Sequence, residues 1–231
     1  MRRRDDIKTF YLLMDDLAER TNGPRYLSNC SGRDNWPERG VYFFFENGEL
    51  RTDSGNGLRV VRVGTHCISK NSKTRFWTRL SQHRGLQNGG GNHRGSIFRQ
   101  VVGEALGKVY PEIHTDTWLD IGASIPLVKE AEYPLECRVS DYIRNMPFLW
   151  VTIGDPASKN SRRAYIERNT IALLSNHAKI DIVDVHSQFW LGQHSSNKDI
   201  RSSGLWNSRH VNETYDPDFL NELEHYISKM T

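Results

Sequence analysis

The sequence predicts an α+β fold, in which a small antiparallel β-sheet is flanked by helices. The runs VYFFFE (41–46) and LRVVRVG (58–64) are rich in β-forming residues and lie close enough in the chain to pair as a hairpin. Apolar residues with helical spacing occur on both sides of these runs. A chain of 231 residues suits one such core with elaborations.

The first predicted element is a helix over 7–20, where apolar residues recur on one helical face and Asn22-Gly23-Pro24 ends the pattern. The apolar face consists of Ile7, Phe10, Tyr11, Met14 and Leu17. The hairpin follows a turn-rich loop. Its strongest turn signal is Asn47-Gly48, with Arg51 to Gly57 forming either the far end of the hairpin or a loop.

The rest of the chain alternates helical patterns with one buried strand. Ser96 is the predicted N-cap of one helix, and Asp216 caps the last helix with Pro217 at its first position. The predicted helices are 74–84, the segment from Ser96, 130–145, 161–176 and the C-terminal segment, and the predicted strand is 148–154.

Several classes of protein are excluded by composition. The longest apolar runs are far shorter than the roughly 18 to 20 residues of a membrane span, and the start, MRRRDDIKTF, lacks the apolar core of a secretory signal. We therefore expect a cytoplasmic protein that does not interact with a membrane. Cys30, Cys67 and Cys137 are far apart and never in a C-x-x-C pair, which argues against a disulfide framework or a zinc knuckle.

The positive charge is concentrated in one part of the chain. Although the net charge is only +3, no Asp or Glu occurs between Ser54 and Gly103. Such asymmetry indicates contact with a polyanion, and the alternative is a solvated basic face without a partner. The basic residues of this block are Arg59, Arg62, Lys70, Lys73, Arg75, Arg79, Arg84, Arg94 and Arg99, with His66, His83 and His93.

Tyr42 is the first residue with a chemical implication. On a strand buried on both faces its hydroxyl needs a polar partner, and Arg62, Arg79 and His83 are available. Arg79 and His83 are four residues apart, so they share a helix face. The alternatives are a core tyrosine bonded to the backbone and two solvated cations.

Two further features concern a carboxylate and a glycine loop. Glu167 falls on the apolar stripe Ala164, Ile171, Leu174 and Ala178, so it needs a cation, either a protein base or a metal. The alternatives are a salt bridge to a residue such as Arg163, or a rotated stripe that exposes the carboxylate. The loop at 89–91, three glycines before a helix, suits either a phosphate or a flexible connection.

Four of these features together resemble the GIY-YIG nuclease superfamily. GVY (40–42) and RVG (62–64) resemble its two tripeptides, Arg79 and His83 its R-x-x-x-H, and Glu167 in YIERNTIALL its metal-binding glutamate. The resemblance covers roughly 40–85 and 160–210. It implies an N-terminal helix and loop extension over 1–39 and a GIY-YIG-like nuclease domain over 40–231, with insertions and a C-terminal helix. The additions resemble the restriction-endonuclease branch.

The chain departs from the family pattern in three places. Arg62 replaces the tyrosine of the second tripeptide, and the segment HCISKNSKTRF lengthens the spacing to Arg79. The family's asparagine after the glutamate corresponds either to Asn176 or to Asn207.

The resemblance implies a metal-dependent endonuclease acting on DNA, most simply double-stranded. Glu167 would hold Mg²⁺ or Mn²⁺, Arg79 would bind the scissile phosphate, and Tyr42 would take a proton from water. The charges of Arg62 and His83 would favour the phenolate. Because one site cuts one strand, double-strand cleavage would require a homodimer or sequential nicking. The expected DNA contacts are Lys70, Lys73, Arg75, Arg84, Arg94 and Arg99.

Two other hypotheses remain open. The first is a catalytically inactive nucleic-acid-binding module on a nuclease scaffold, which the replacement of tyrosine by Arg62 suggests. The second is an α+β protein in which Tyr42, Arg79 and Glu167 are structural. The second requires these three residues to be far apart in the folded chain.

Overall fold

A computed structural model describes residues 2–69, 72–120 and 125–230, and in them four strands and seven α-helices. The strands are β1 Arg25–Tyr26, β2 Gly40–Leu50, β3 Leu58–Gly64 and β4 Pro147–Thr152. The helices are α1 Arg2–Arg20, α2 Phe76–Arg84, α3 Ile97–Val109, α4 Pro126–Arg144, α5 Arg162–Leu174, α6 Lys198–Ser203 and α7 Phe219–Ile227.

The strands form one sheet in the order β1-β4-β2-β3, and every neighbouring pair is antiparallel. The predicted fold class and the predicted pairing of 41–46 with 58–64 are therefore confirmed. β2 lies inside the sheet, hydrogen-bonded to β3 on one side and to β4 on the other.

Helices cover both faces of this sheet, and the alternation of side chains along β2 decides which residues face which helices. Val41, Phe43 and Phe45 pack in one core with α1, α5 and α7. Tyr42 and Phe44 pack in a second core with α2, α3 and α4. Tyr42 therefore lies on a strand that is buried on both faces, as predicted, and on the side of α2.

The predicted turn at Asn47-Gly48 is wrong. β2 continues to Leu50, and the chain reverses between Arg51 and Gly57, whose backbone groups are hydrogen-bonded to each other. Gly48, with φ +88°, lies instead where the β2–β3 register shifts. The later turn is stabilised from a distance, because the Asp184 carboxylate accepts hydrogen bonds from the backbone N–H groups of residues 52–54.

The helix ends agree with the predictions to within a few residues at most positions. The Ser96 side chain accepts a hydrogen bond from the Arg99 N–H and caps α3, as predicted. The predicted start of the last helix is wrong, because α7 begins at Phe219 with Asp218 at its N-cap, and Asp216 instead accepts from the Asp218 N–H. α5 ends at Leu174, so Ala178 does not share a helical stripe with Glu167.

α1 packs in the same core as α5 and α7. The boundary at residue 39 between an extension and a nuclease domain stays a prediction. None of the helices in the described part of the chain combines the length and apolarity that a membrane crossing requires.

Candidate active site

The site is built on the pairing of β2 with β3. Tyr42 lies directly opposite Gly64, and Phe44 lies opposite Arg62. Phe45 then pairs with Val60, so Val61 is the extra residue of a β-bulge. Because directly paired residues share a face, Arg62 lies on the same face of the sheet as Tyr42, two pairs further along.

Gly64 allows the phenol to lie across the neighbouring strand. A Cβ atom at residue 64 would overlap the ring and the hydroxyl oxygen of Tyr42. The glycine of RVG is therefore required by the close approach of the Tyr42 ring to the β3 backbone.

The Tyr42 hydroxyl lies 2.8 Å from Nε2 of His83, and Nδ1 of His83 lies 2.8 Å from Oγ of Ser96. The three side chains are buried, with exposed fractions of 1%, 0% and 1%. Tyr42 thus has the polar partner that its burial requires. Burial, together with the charges of Arg79 and Arg62, holds the pKa of His83 well below its usual value.

The two ring nitrogens of His83 bridge the hydroxyl groups of Tyr42 and Ser96, and the nitrogen that carries the proton of the neutral ring sets the direction of both hydrogen bonds. Oγ of Ser96 also accepts from the Arg99 N–H. Because its pKa is held low, His83 is neutral near pH 7, and not the cation that the sequence hypothesis invoked.

Arg62 is 9% exposed and lies beside the phenol. Its guanidinium donates to the carbonyl of Trp206 and is centred 5.3 Å from the Phe98 ring. Nε is buried and has no partner among the described residues. Burial lowers the pKa of Arg62, whereas nearby Tyr42 and Glu167 act in the opposite direction.

Glu167 reaches the same end of β3 from α5. Its Oε1 accepts a hydrogen bond of 3.1 Å from the backbone N–H of Thr65, the residue after Gly64. Burial raises the pKa of Glu167, and the charge of Arg62 lowers it. The predicted alternative of a salt bridge to Arg163 is wrong, because Arg163 pairs with Asp155.

Arg79 lies on the first turns of α2, half-buried, and donates to Oε1 of Gln82 at 3.0 Å and to the carbonyl of Gly95 at 3.3 Å. Its charge lowers the pKa values of His83, Arg62 and Glu167. A phenol, two guanidiniums, an imidazole and a carboxylate therefore converge at the end of β3.

The two candidate asparagines occupy different places. Asn207 is 4% exposed, and its side-chain amide bonds both backbone groups of Val63, at 3.0 and 2.9 Å. Asn176 instead bonds Val183 and Arg3. Asn207 is thus the asparagine that lies beside the site, where its side chain binds β3 and holds residues 206–207 against that strand.

The predicted nucleic-acid contacts separate into four groups. Lys70 lies outside the described residues, whereas Lys73 and Arg75 are exposed beside the start of α2. Arg84 is half-buried, with its guanidinium over the Trp77 ring.

Arg94 is half-buried and Arg99 is fully buried, and both are paired with carboxylates, contrary to the prediction. Arg94 pairs with Glu132 at 2.6 Å, and Arg99, which is 0% exposed, pairs with Glu136. The block without acids meets acids from α4 once the chain folds, so these two arginines are neutralised internally. A surface contact with phosphate is not available to Arg99.

The glycine loop at 89–91 is also held by contacts within the protein. The carbonyl of Gly90 accepts from the Leu86 N–H and from Oγ of Ser140, and a Cβ at residue 91 would overlap the guanidinium of Arg99. These contacts account for the glycines without a bound phosphate.

Four residues near the site were not identified from the sequence as parts of it: Thr65, His66, Ser96 and His210. His66 is 5% exposed, its Nε2 bonds the Glu38 carbonyl at 3.2 Å, and its Nδ1 has no described partner. Burial lowers its pKa to about 4. The charge of His210 contributes to the pKa of Glu167. Proximity to RVG was the one signal for Thr65 and His66, and it was too weak alone.

Comparison with known proteins agrees with this geometry. A family model described as the GIY-YIG domain matches residues 1–231, which is more of the chain than the motifs themselves span. Searches of curated proteins and of solved structures found no match. With the tripeptides paired across β2 and β3 and the glutamate at their end, the chain belongs to the GIY-YIG domain family, a family of endonucleases.

Proposed function

We propose that this chain is a metal-dependent endonuclease that hydrolyses phosphodiester bonds of DNA, with a restriction or other DNA-defence role. The observation that supports this most is the convergence of Tyr42, Arg62, Arg79 and Glu167 around one strand end. The hypothesis that these residues are merely structural required them to be far apart.

Hydrolysis needs a base for the attacking water and positive charge at the phosphate. Tyr42 is the base. In this mechanism neutral His83 carries its proton on Nε2 and donates it to the Tyr42 oxygen, and the guanidinium of Arg62 lies beside that oxygen. Arg79, which is half-buried at the mouth of the site, binds the scissile phosphate and its developing charge.

Glu167 suits a single Mg²⁺ or Mn²⁺ ion. Among the described residues, Oε1 bonds the Thr65 N–H while Oε2 has no hydrogen-bond partner, and no group of three or more metal-binding side chains surrounds it. One carboxylate is sufficient for Mg²⁺, which keeps several waters and takes further ligands from phosphate. When bound, the ion would supply positive charge to the phosphate and its leaving oxygen.

The burial of Tyr42 sets a requirement on the mechanism. Its exposed fraction is 1%, so a water reaches the hydroxyl only when neighbouring side chains shift. Arg62 is the natural candidate, because its Nε has no partner in the described part of the chain and a phosphate would attract its guanidinium. Substrate binding would thereby give water access to the Tyr42 hydroxyl.

The substrate is double-stranded DNA in this proposal, contacted by the exposed cations Lys73 and Arg75 beside Arg79. One site cuts one strand at a time. Cleavage of both strands therefore requires either a homodimer or two successive nicks.

The second candidate is a nucleic-acid-binding module without activity, which the presence of Arg62 at the tyrosine position favours. Incubation of supercoiled plasmid with the protein and Mg²⁺, beside the Glu167→Gln variant, separates the candidates. Nicking by the wild type alone supports the endonuclease. Binding by both proteins without nicking supports the module, and the absence of both activities contradicts both candidates.

A further inference from the structure

A cavity of about 770 Å³ lies beside the outer face of α2, away from the buried face that carries His83. Trp77, Gln82 and Arg84 of α2 line one side of it. Arg33 and the amide side chains of Gln87 and Asn92 line the rest, and no carboxylate is among its described lining residues. No role in the proposed cleavage accounts for this cavity.

Arg79 connects the cavity to the candidate active site. Its guanidinium donates to the side chain of Gln82 and to the carbonyl of Gly95, and both residues line the cavity. A phosphate bound by Arg79 would therefore lie at the edge of the cavity. The nucleotide attached to that phosphate would be within reach of its interior.

Trp77 forms a rigid aromatic wall. Its ring stacks on Trp36 with centroids 5.2 Å apart and planes 14° from parallel. The guanidinium of Arg84 lies 5.6 Å from the Trp77 centroid and is held by a 2.7 Å hydrogen bond to the Cys30 carbonyl. These contacts fix the ring before any ligand arrives, which lowers the entropy cost of binding against it.

The polar side chains of the cavity fall into two sets, and Gln82, Asn92 and Arg84 already make hydrogen bonds within the protein. A Cβ at Gly32 would lie 2.7 Å from the indole nitrogen of Trp77, so only glycine leaves that N–H uncovered. In the described parts of the chain we find no acceptor for this N–H and no partner for the amide of Gln87 or the guanidinium of Arg33. An aromatic wall with amides and guanidiniums beside it, and without carboxylates, suits a nucleobase and its phosphate.

We propose that this cavity binds one unstacked nucleotide next to the scissile phosphate. The base lies against Trp77, the amides of Gln82, Gln87 and Asn92 bond its edge, and Arg33 and Arg84 neutralise its phosphate. This inference rests on the proposed function, because Arg79 holds the scissile phosphate in both. The cavity is larger than one base, so it accepts purines and pyrimidines alike.

Photocrosslinking tests the proposal directly. The full chain carrying Glu167→Gln is mixed with DNA duplexes in which 5-iodouracil is placed opposite a missing base, and the linked peptide is identified by mass spectrometry. We expect a cross-link to Trp77. Cross-links confined to other aromatic residues, or none above those formed with a fully paired duplex, would overturn the proposal.

A charge substitution gives a second measurement without disturbing the core, since Gln87 is exposed. Gln87→Glu adds a carboxylate to the cavity and should weaken binding of the unpaired-base duplex by about 10-fold. Gln188→Glu, on an exposed loop, is the matched control and should bind like its parent. Equal binding by both variants would contradict the assignment.

The outcomes separate the two proposals. Plasmid nicking by the wild type without a Trp77 cross-link would support the endonuclease and contradict the nucleotide site in the cavity. A Trp77 cross-link without any nicking would support the nucleotide site and contradict the endonuclease.

Discussion

The oxygen of Tyr42 lies 2.8 Å from Nε2 of His83, and Nδ1 of the same ring lies 2.8 Å from Oγ of Ser96. The imidazole thus connects the proposed base to the N-cap residue of α3. In the proposed mechanism His83 donates to the phenol, so changes at Tyr42 and at Ser96 test the mechanism from both sides of the ring.

Tyr42→Phe should abolish plasmid nicking while leaving the fold intact, because only the oxygen is removed. The lost hydrogen bond should lower the free energy of unfolding by about 1 kcal/mol, measured by urea denaturation. Tyr11→Phe is the matched control. Tyr11 is also buried and accepts a hydrogen bond from the Val60 N–H, but in the other core. Nicking by Tyr42→Phe at the wild-type rate would refute the base assignment.

Ser96→Ala should slow nicking and move the rising limb of its pH profile to higher pH. Without the Ser96 hydroxyl, Nδ1 can take the ring proton, and the ionised phenol then loses a donor. The N-cap loss alone should cost about 1 kcal/mol of stability. Asn197→Ala, which removes the cap of α6, controls for that loss and should keep the wild-type pH profile. A profile that is unchanged in Ser96→Ala would argue against the tautomer.

Glu167→Gln should eliminate nicking at every Mg²⁺ concentration while DNA binding in a gel-shift assay persists. The amide keeps the size of the side chain but removes the charge that would hold the ion. Glu222→Gln, on α7, removes a surface carboxylate paired with Arg162 and should nick normally. If high Mg²⁺ restored nicking to the Glu167→Gln variant, the carboxylate would have another role.

Arg75→Ala should weaken DNA binding and reduce the slope of log K against log salt by about 1, as expected for one lost phosphate contact. Arg99→Ala should instead leave the salt slope unchanged and lower the stability by about 3 to 5 kcal/mol, because the buried Glu136 would lose its guanidinium partner and keep only its contacts with His93. Titrations at several salt concentrations and urea denaturation distinguish these effects. A reduced slope for Arg99→Ala would contradict its internal assignment.

The stability of the protein should fall as the pH drops below about 6.5. The pKa of His66 is lowered to about 4 and that of His83 is also lowered, so both stay neutral in the folded chain. As the pH falls, the two histidines of the unfolded chain bind protons near their ordinary pKa, whereas those of the folded chain do not. Proton binding therefore favours the unfolded chain. Each histidine contributes about 1.4 kcal/mol per pH unit in this window. His66→Gln should show a shallower dependence in urea denaturation between pH 6.5 and 5, and an identical slope would contradict the shift.

Local patterns in the sequence determined the fold class and much of the site's membership. Alternation along VYFFFE places Tyr42 on one face of a buried strand, and periodicity places His83 on the buried side of α2. Tyr42, Arg79, His83 and Glu167 were identified together because motif order and secondary structure are both encoded locally.

Only the tertiary structure decided the register of β2 with β3, the position of the turn between them and which carboxylates neutralise the arginines. The bulge at Val61 puts Arg62 on the face of Tyr42, and distant Asp184 stabilises a turn other than Asn47-Gly48. Glu132 and Glu136 neutralise two arginines that the sequence left free. These outcomes depend on contacts between residues far apart in the chain, whose energies no local pattern of residue types contains.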